Sequence, residues 1–159
     1  MNIFETLITN LADGACCGDG SAVAACFTEN GIYHDCFYGS FQGQAIKDMI
    51  ENYFHRDSEN LVWDMHAPVE AGSVGYARYV FSYDSKLSDA LGKRAVFEGV
   101  SICRLRDGLI EEYREVAHSI SGLQQLGFES KRLIKLLARE SKELLVRDES
   151  RHHVKSPSD

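Results

Sequence analysis

The chain is poor in several features that mark large classes of protein. It has two prolines in 159 residues, and no apolar run approaches the ~20 residues a membrane helix requires, so no membrane partner is expected. Its five cysteines form no C-x-x-C pair and no Cys/His spacing suited to zinc; Cys16 and Cys17 are adjacent, while Cys26, Cys36 and Cys103 are scattered. Such thiols fit small, reduced, buried side chains in a cytoplasmic protein. Positive charge is scarce: 17 Lys and Arg stand against 24 Asp and Glu, a formal charge of −7, which argues against coating nucleic acid. The N-terminus, MNIFETLITNLADGA, is acidic and periodic, so no signal peptide is expected. What remains is an ordinary core composition, 44% hydrophobic, at a length that suits one domain.

The first third is helical in pattern. Ile3, Phe4, Leu7, Ile8, Leu11, Ala12 and Ala15 recur at three- and four-residue spacing. CCGDG breaks that stripe, and Asp19 or Ser21 caps a second short helix through Phe27. Asn30-Gly31 predicts a turn, followed by a short strand over 32–36 and a glycine-spaced loop, YGSFQG. A third helix is predicted over 44–55, with Ile46, Met49, Ile50, Tyr53 and Phe54 inward. The period then changes to two. Leu61, Trp63, Met65, Ala67 and Val69 alternate with polar residues, 73–87 is rich in aromatic and β-branched residues, and 94–106 and 109–118 flank an Asp107-Gly108 hairpin signal. Helices followed by a meander of strands predict an α+β fold with helices covering one face of a curved antiparallel sheet. Residues 129–159 carry eight basic and six acidic residues, leaving 1–128 with nine against eighteen. That split, and leucines at helical spacing from Leu133 to Leu145, predict a body over 1–128 and a C-terminal amphipathic helix ending in a frayed RDESRHHVKSPSD.

FTENGIYHDCFYGSFQGQAIKDMI and FEGVSICRLRDGLIEEYREV carry a resemblance to the nuclear transport factor 2-like superfamily, and within it to the SnoaL-like branch with its ketosteroid isomerase-like and limonene epoxide hydrolase-like relatives. The resemblance covers about residues 1–128. It implies a cystatin-like cone, a sheet wrapped around helices with a pocket at one end, and a homodimer through the convex sheet face. It implies a cofactor-independent, metal-free enzyme acting by acid–base chemistry on a small hydrophobic molecule: an isomerase, cyclase or dehydratase. Enzymes and non-enzymes share such folds, so an apolar-ligand-binding or protein-interaction module stands as the alternative.

Asp35 matches the place of the general base in isomerase-like relatives, and Tyr33, two residues before it, shares its face of the strand. Glu115 falls where the epoxide hydrolase-like branch carries a catalytic aspartate, with Tyr113 on the same face. A carboxylate pair across a cavity permits acid and base roles on one substrate. Plainer roles exist for each: Asp35 capping a turn, Glu115 pairing with a surface cation. Arg78 matches the arginine of an arginine–aspartate motif whose second member is here Val80, so epoxide hydrolysis is not supported; Arg78 either pins a carboxylate or makes a surface ion pair. His34 and His118 fall opposite their inward neighbours, although a bulge at the strand's end would re-aim His118. Tyr53, Trp63, Arg78, Phe97, Tyr113 and His118 are the expected substrate contacts, with Phe27 and Phe54 completing an apolar wall. Gly99 and Ser101, on the face of Phe97, are expected to leave room for a flat ligand.

Overall fold

A computed structural model describes residues 2–154. Helix α1 (Ile3–Cys17) begins where the Asn2 side chain accepts the Glu5 N–H and ends at Gly18 in the left-handed conformation. It buries Phe4, Leu7, Ile8, Leu11, Ala12 and Ala15 of the expected stripe, while Ile3, in the first turn, is left exposed. Asp19 caps α2 (Gly20–Ala25), which stops two residues short of Phe27 because β1 (Phe27–Asp35) begins there. Asn30-Gly31 is therefore not a turn. It sits in a register irregularity of β1 between Phe27 and Ile32, where the chain bends without leaving the sheet. The segment expected as a loop pairs back antiparallel as β2 (Gly39–Gln42), Asp35 opposite Gly39.

The third helical region runs as α3 (Ala45–Asp48), a π-helical stretch (Met49–Phe54) and α4 (His55–Asp57). Ile46, Met49, Ile50 and Phe54 are buried as expected, but the wider π turn rotates Tyr53 partly outward. Strands β3 (Ser58–Ala71), β4 (Val74–Ser85), β5 (Arg94–Arg106) and β6 (Leu109–Ala117) follow as a meander. Asp107 and Gly108 take φ of 53° and 78°, the two left-handed positions a tight hairpin requires. Alternation on β3 holds for Leu61 and Trp63, then fails. Ala67 adopts φ 47° at a bulge between His66 and Val69, leaving Ala67 and Val69 exposed. Bulges of this kind bend a strand and deepen the sheet's curvature.

The order across the sheet is β2-β1-β6-β5-β4-β3. All pairings are antiparallel except β1 with β6, which run parallel, so the curved sheet is mixed. Parallel neighbours need a long crossover, and here the rest of the domain supplies it. On the concave side the helices meet an aromatic cluster in which Trp63 packs edge-on against Tyr79 and Phe81 (5.6 and 5.5 Å) and Phe81 against Phe97 (5.4 Å).

After the sheet, α5 (Ser119–Gln125) packs on β5, and α6 (Ser130–Leu145) leans on the body through Leu133 and Leu136. The end expected to fray instead forms a 3₁₀ turn (Asp148–Ser150) and α7 (Arg151–Val154). Arg151 donates to Asp148 at 2.6 Å and the Ser150 N–H to the Arg147 carbonyl at 3.0 Å, bonds that a frayed end would lack. The last five residues of the expected tail lie outside the described residues. No described helix is long and apolar enough to cross a membrane.

Candidate functional site

Asp35 closes β1 with its side chain turned into the cone, 9% exposed. Its Oδ2 accepts the N–H groups of Phe37 and Tyr38 at 2.8 and 2.9 Å, so it does cap the following turn. Capping and an inward position coexist because the turn folds over the cone's interior. Glu115, on β6, reaches the same place. Its Oε1 accepts the Cys36 N–H at 3.2 Å, and its Oε2 accepts the Tyr79 hydroxyl at 2.6 Å and the Tyr113 hydroxyl at 3.3 Å. One carboxylate oxygen from each acid and the Cys36 sulfur lie within 4.8 Å of one another. The parallel pairing makes this meeting, with Tyr33 opposite Tyr113 in register and their rings stacked at 4.4 Å.

Glu115 is therefore not a surface glutamate paired with a cation: every partner it has among the described residues is neutral. Burial without a counter-charge disfavours ionisation. Burial first, and then Glu115's charge, push the Asp35 carboxyl up to about 7, against the lowering effect of its two backbone N–H bonds. Burial also raises Glu115, opposed by the tyrosine hydroxyls and Cys36. Two acids this close titrate as a unit and hold one proton between them over an intermediate pH range. Tyr33, Tyr79, Tyr113 and Cys36 are all raised, chiefly by burial, and stay protonated donors.

The cavity beside this pair is small, about 30 Å³, and lined by Tyr33, Trp63, Tyr79, Phe97 and the two acids, among others. That is room for about one water molecule. The space expected at Gly99 is taken: a Cβ there would lie 2.5 Å from the Tyr79 hydroxyl, and Ser101 hydrogen-bonds Tyr113 at 3.0 Å. In the wall, Trp63 buries an indole N–H that has no partner among the described residues. An orphaned donor of this kind costs about 1–3 kcal/mol unless a guest satisfies it.

Of the expected contacts, Tyr33, Asp35, Trp63, Phe97, Tyr113 and Glu115 come together. Three do not. Arg78 lies on the outer sheet face, paired with Glu98 at 3.3 Å, because Ala77 and Tyr79 take the inward positions of β4. His118 is exposed at the start of α5, its N–H bound to the Glu98 carbonyl; β6 ends without the bulge that would turn it inward. Tyr53 packs against Tyr38 and Phe41 beyond the cavity, turned there by the π-helical stretch. Phe27 is buried at the far end of β1 against Tyr33, outside the lining. His34 bonds Ser40 and Glu112 on the outer face, as its parity predicts. Spacing alone missed Tyr79 at the site, along with the lining residues Cys36, Phe37 and Phe81; Tyr79 is the one of these that bonds an acid. Its signal was its inward parity with Phe81 and a glycine directly opposite, Gly99.

A curved sheet around helices, with an acid pair inside, defines an α+β cone of the nuclear transport factor 2-like kind. More narrowly, the chain belongs to the SnoaL-like domain family, whose pattern it matches over residues 11–113. It is similar in fold to TsrD from Streptomyces laurentii, at 18% identity over 79% of this chain and 95% of that one, with a TM-score of 0.67. A hypothetical protein with a ketosteroid isomerase-like fold from Catenulispora acidiphila, in complex with trimethylamine, is 19% identical over 79% and 95%, TM-score 0.65. An LEH-like epoxide hydrolase from M. tuberculosis is 12% identical over 87% and 96%, TM-score 0.63. No curated protein matches the chain.

Proposed function

We propose that the protein is a SnoaL-like enzyme that moves protons on a small, largely apolar, oxygen-bearing substrate, by isomerisation, cyclisation or dehydration. The observation that carries this reading is the pair of inward carboxyl groups whose described partners are N–H and O–H donors, not lysine or arginine side chains. Their hydrogen bonds suggest a division of labour. Every described partner of Glu115 donates to it, which suits the anion, whereas Asp35 has only Oδ2 engaged and Oδ1 available to give or take a proton. Ionised above about 7, Asp35 is the base; Glu115 sets its basicity and Tyr33 donates to the developing oxyanion. This chemistry needs no cofactor. The carboxylates' engagement with N–H and O–H donors suits proton exchange better than ligation of a cation.

The 30 Å³ cavity favours a second reading, a non-catalytic binding or interaction module, because no substrate fits until the aromatic wall moves. Phe37 and Phe97, in edge contact at 5.9 Å, are the side chains whose displacement would admit one. The two readings separate in one experiment: deuterium exchange next to the carbonyl of a panel of cyclic ketones, followed by NMR. Asp35→Asn is expected to lower exchange about 100-fold or more. Glu115→Gln is expected to lower it and to move the pH midpoint acidward, because the neighbouring charge that raises Asp35 is gone. Ketones that stabilise the protein thermally but exchange at the same rate with both variants would leave only the binding module.

A further inference from the structure

Helix α6 turns two different faces to its surroundings. Leu133, Leu136 and Glu140 are half-buried on the side that meets the body, while the rest of the helix is exposed. Ile134, Leu137, Leu144 and Leu145 are left 65%, 49%, 50% and 51% exposed. At about 3.6 residues per turn these four fall on one exposed arc, with Ser141 among them and Ala138 at its edge beside the lysines. The next strip of the same projection holds Lys131, Lys135 and Lys142 and no acid. The two carboxylates of α6 lie elsewhere: Glu140 on the body side, and Glu143 on the far side, with Arg139 at 3.7 Å.

We propose that this outward face of α6 docks on an anionic phospholipid surface, a peripheral contact that needs no spanning run and so departs from the expectation of no membrane partner, lying in its plane with the apolar side chains inserted and the lysines at the headgroups. An apolar arc bordered by lysines fits that surface because the long side chains extend their ammonium groups to the phosphates while their stems stay in apolar surroundings. The chain's net charge of −7 opposes approach at long range, but at physiological salt charges act over about 8 Å, so the lysines at the contact decide. Asp148 and Glu149, just past the helix, are each paired with an arginine, Arg151 at 2.6 Å and Arg147 at 3.5 Å, which limits their repulsion. A second copy of the chain is the poorer occupant, since Lys135 and Lys142 of an antiparallel mate would face each other.

Sedimentation of the full chain with phosphatidylcholine vesicles, with and without about a quarter phosphatidylserine, tests this. The expected result is binding about tenfold stronger to the anionic vesicles and weakened by added salt. It should be lost in both Leu137→Asp/Leu144→Asp and Lys131→Glu/Lys135→Glu/Lys142→Glu. These positions are exposed, so both variants should keep the parent's circular dichroism and melting temperature. No preference for anionic vesicles, or full binding by the lysine variant, overturns the proposal. A dimer that Leu137→Asp/Leu144→Asp converts to monomer, without vesicle binding by the parent, overturns it in favour of self-association.

Discussion

Glu112 and Glu115 stand three residues apart on β6, on opposite faces of one strand, and have become different chemical objects. Glu112 faces out toward two cations, Arg114 at 2.8 Å and Arg104 at 3.2 Å, and the His34 ring at 3.0 Å. Partial burial raises it, but those partners outweigh burial and hold it below the usual carboxylate range. Glu115 faces in among tyrosines and a second acid, and is raised. The same side chain is a structural anion on one side and half of an acid–base pair on the other. Alternation sorts residues between faces; the neighbours on each face then set the chemistry.

The largest expected effect on stability tests the inner face. Asp35 has its carboxyl raised from about 3.8 to about 7, so its contribution is fully present below pH 4 and is lost as pH climbs through 7. Asp35→Asn stays neutral and keeps an oxygen for the two N–H groups. In urea melts it is expected to be about 2–4 kcal/mol more stable than the parent at pH 8, the advantage vanishing by pH 4. An unchanged difference across that range would mean that the pair is not strained by its charge. Next in size is Tyr79→Phe, which takes the 2.6 Å hydrogen bond from Glu115. It should cost about 1–3 kcal/mol at pH 8 and less at pH 4, where the acid is neutral. The smallest effect belongs to the outer face. Glu112→Gln should cost under about 1 kcal/mol at pH 7, shrinking with salt and as pH falls through the lowered carboxyl. A larger loss there than at Tyr79 would reverse the comparison.

Alternation also explains how much was legible beforehand. Tyr33, Asp35, Tyr113 and Glu115 share the inner face because parity along β1 and β6 says so, and the paired strands do bring them together. Motif matching leaves Arg78 either pinning a carboxylate or making a surface ion pair; the parity of its strand decides for the surface pair, as the structure has it. Parity itself fails at bulges: Ala67 at φ 47° exposes Val69, and the local sign of it is Pro68, which cannot donate to the ladder. Tyr53 moved because a π turn is invisible to a count of three and four. The parallel β1–β6 pairing is equally silent, since neither strand's own residues name a partner. Cavity size was beyond reach because Gly99 reads as a gap until the Tyr79 hydroxyl is seen to fill it.

That parallel pairing also bears on the order in which the molecule comes together. The β5–β6 hairpin closes across two residues, whereas the bond from the Cys36 N–H to Glu115 spans 79 positions of chain. Local contacts form early, and distant ones wait until the intervening chain has already given up its freedom. Two acids that repel each other and are shielded from water are thus expected to meet late in folding. A partly folded chain exposes ordinary carboxylates. The proton held above its usual range marks a finished molecule, and its uptake during refolding at neutral pH would time the last step.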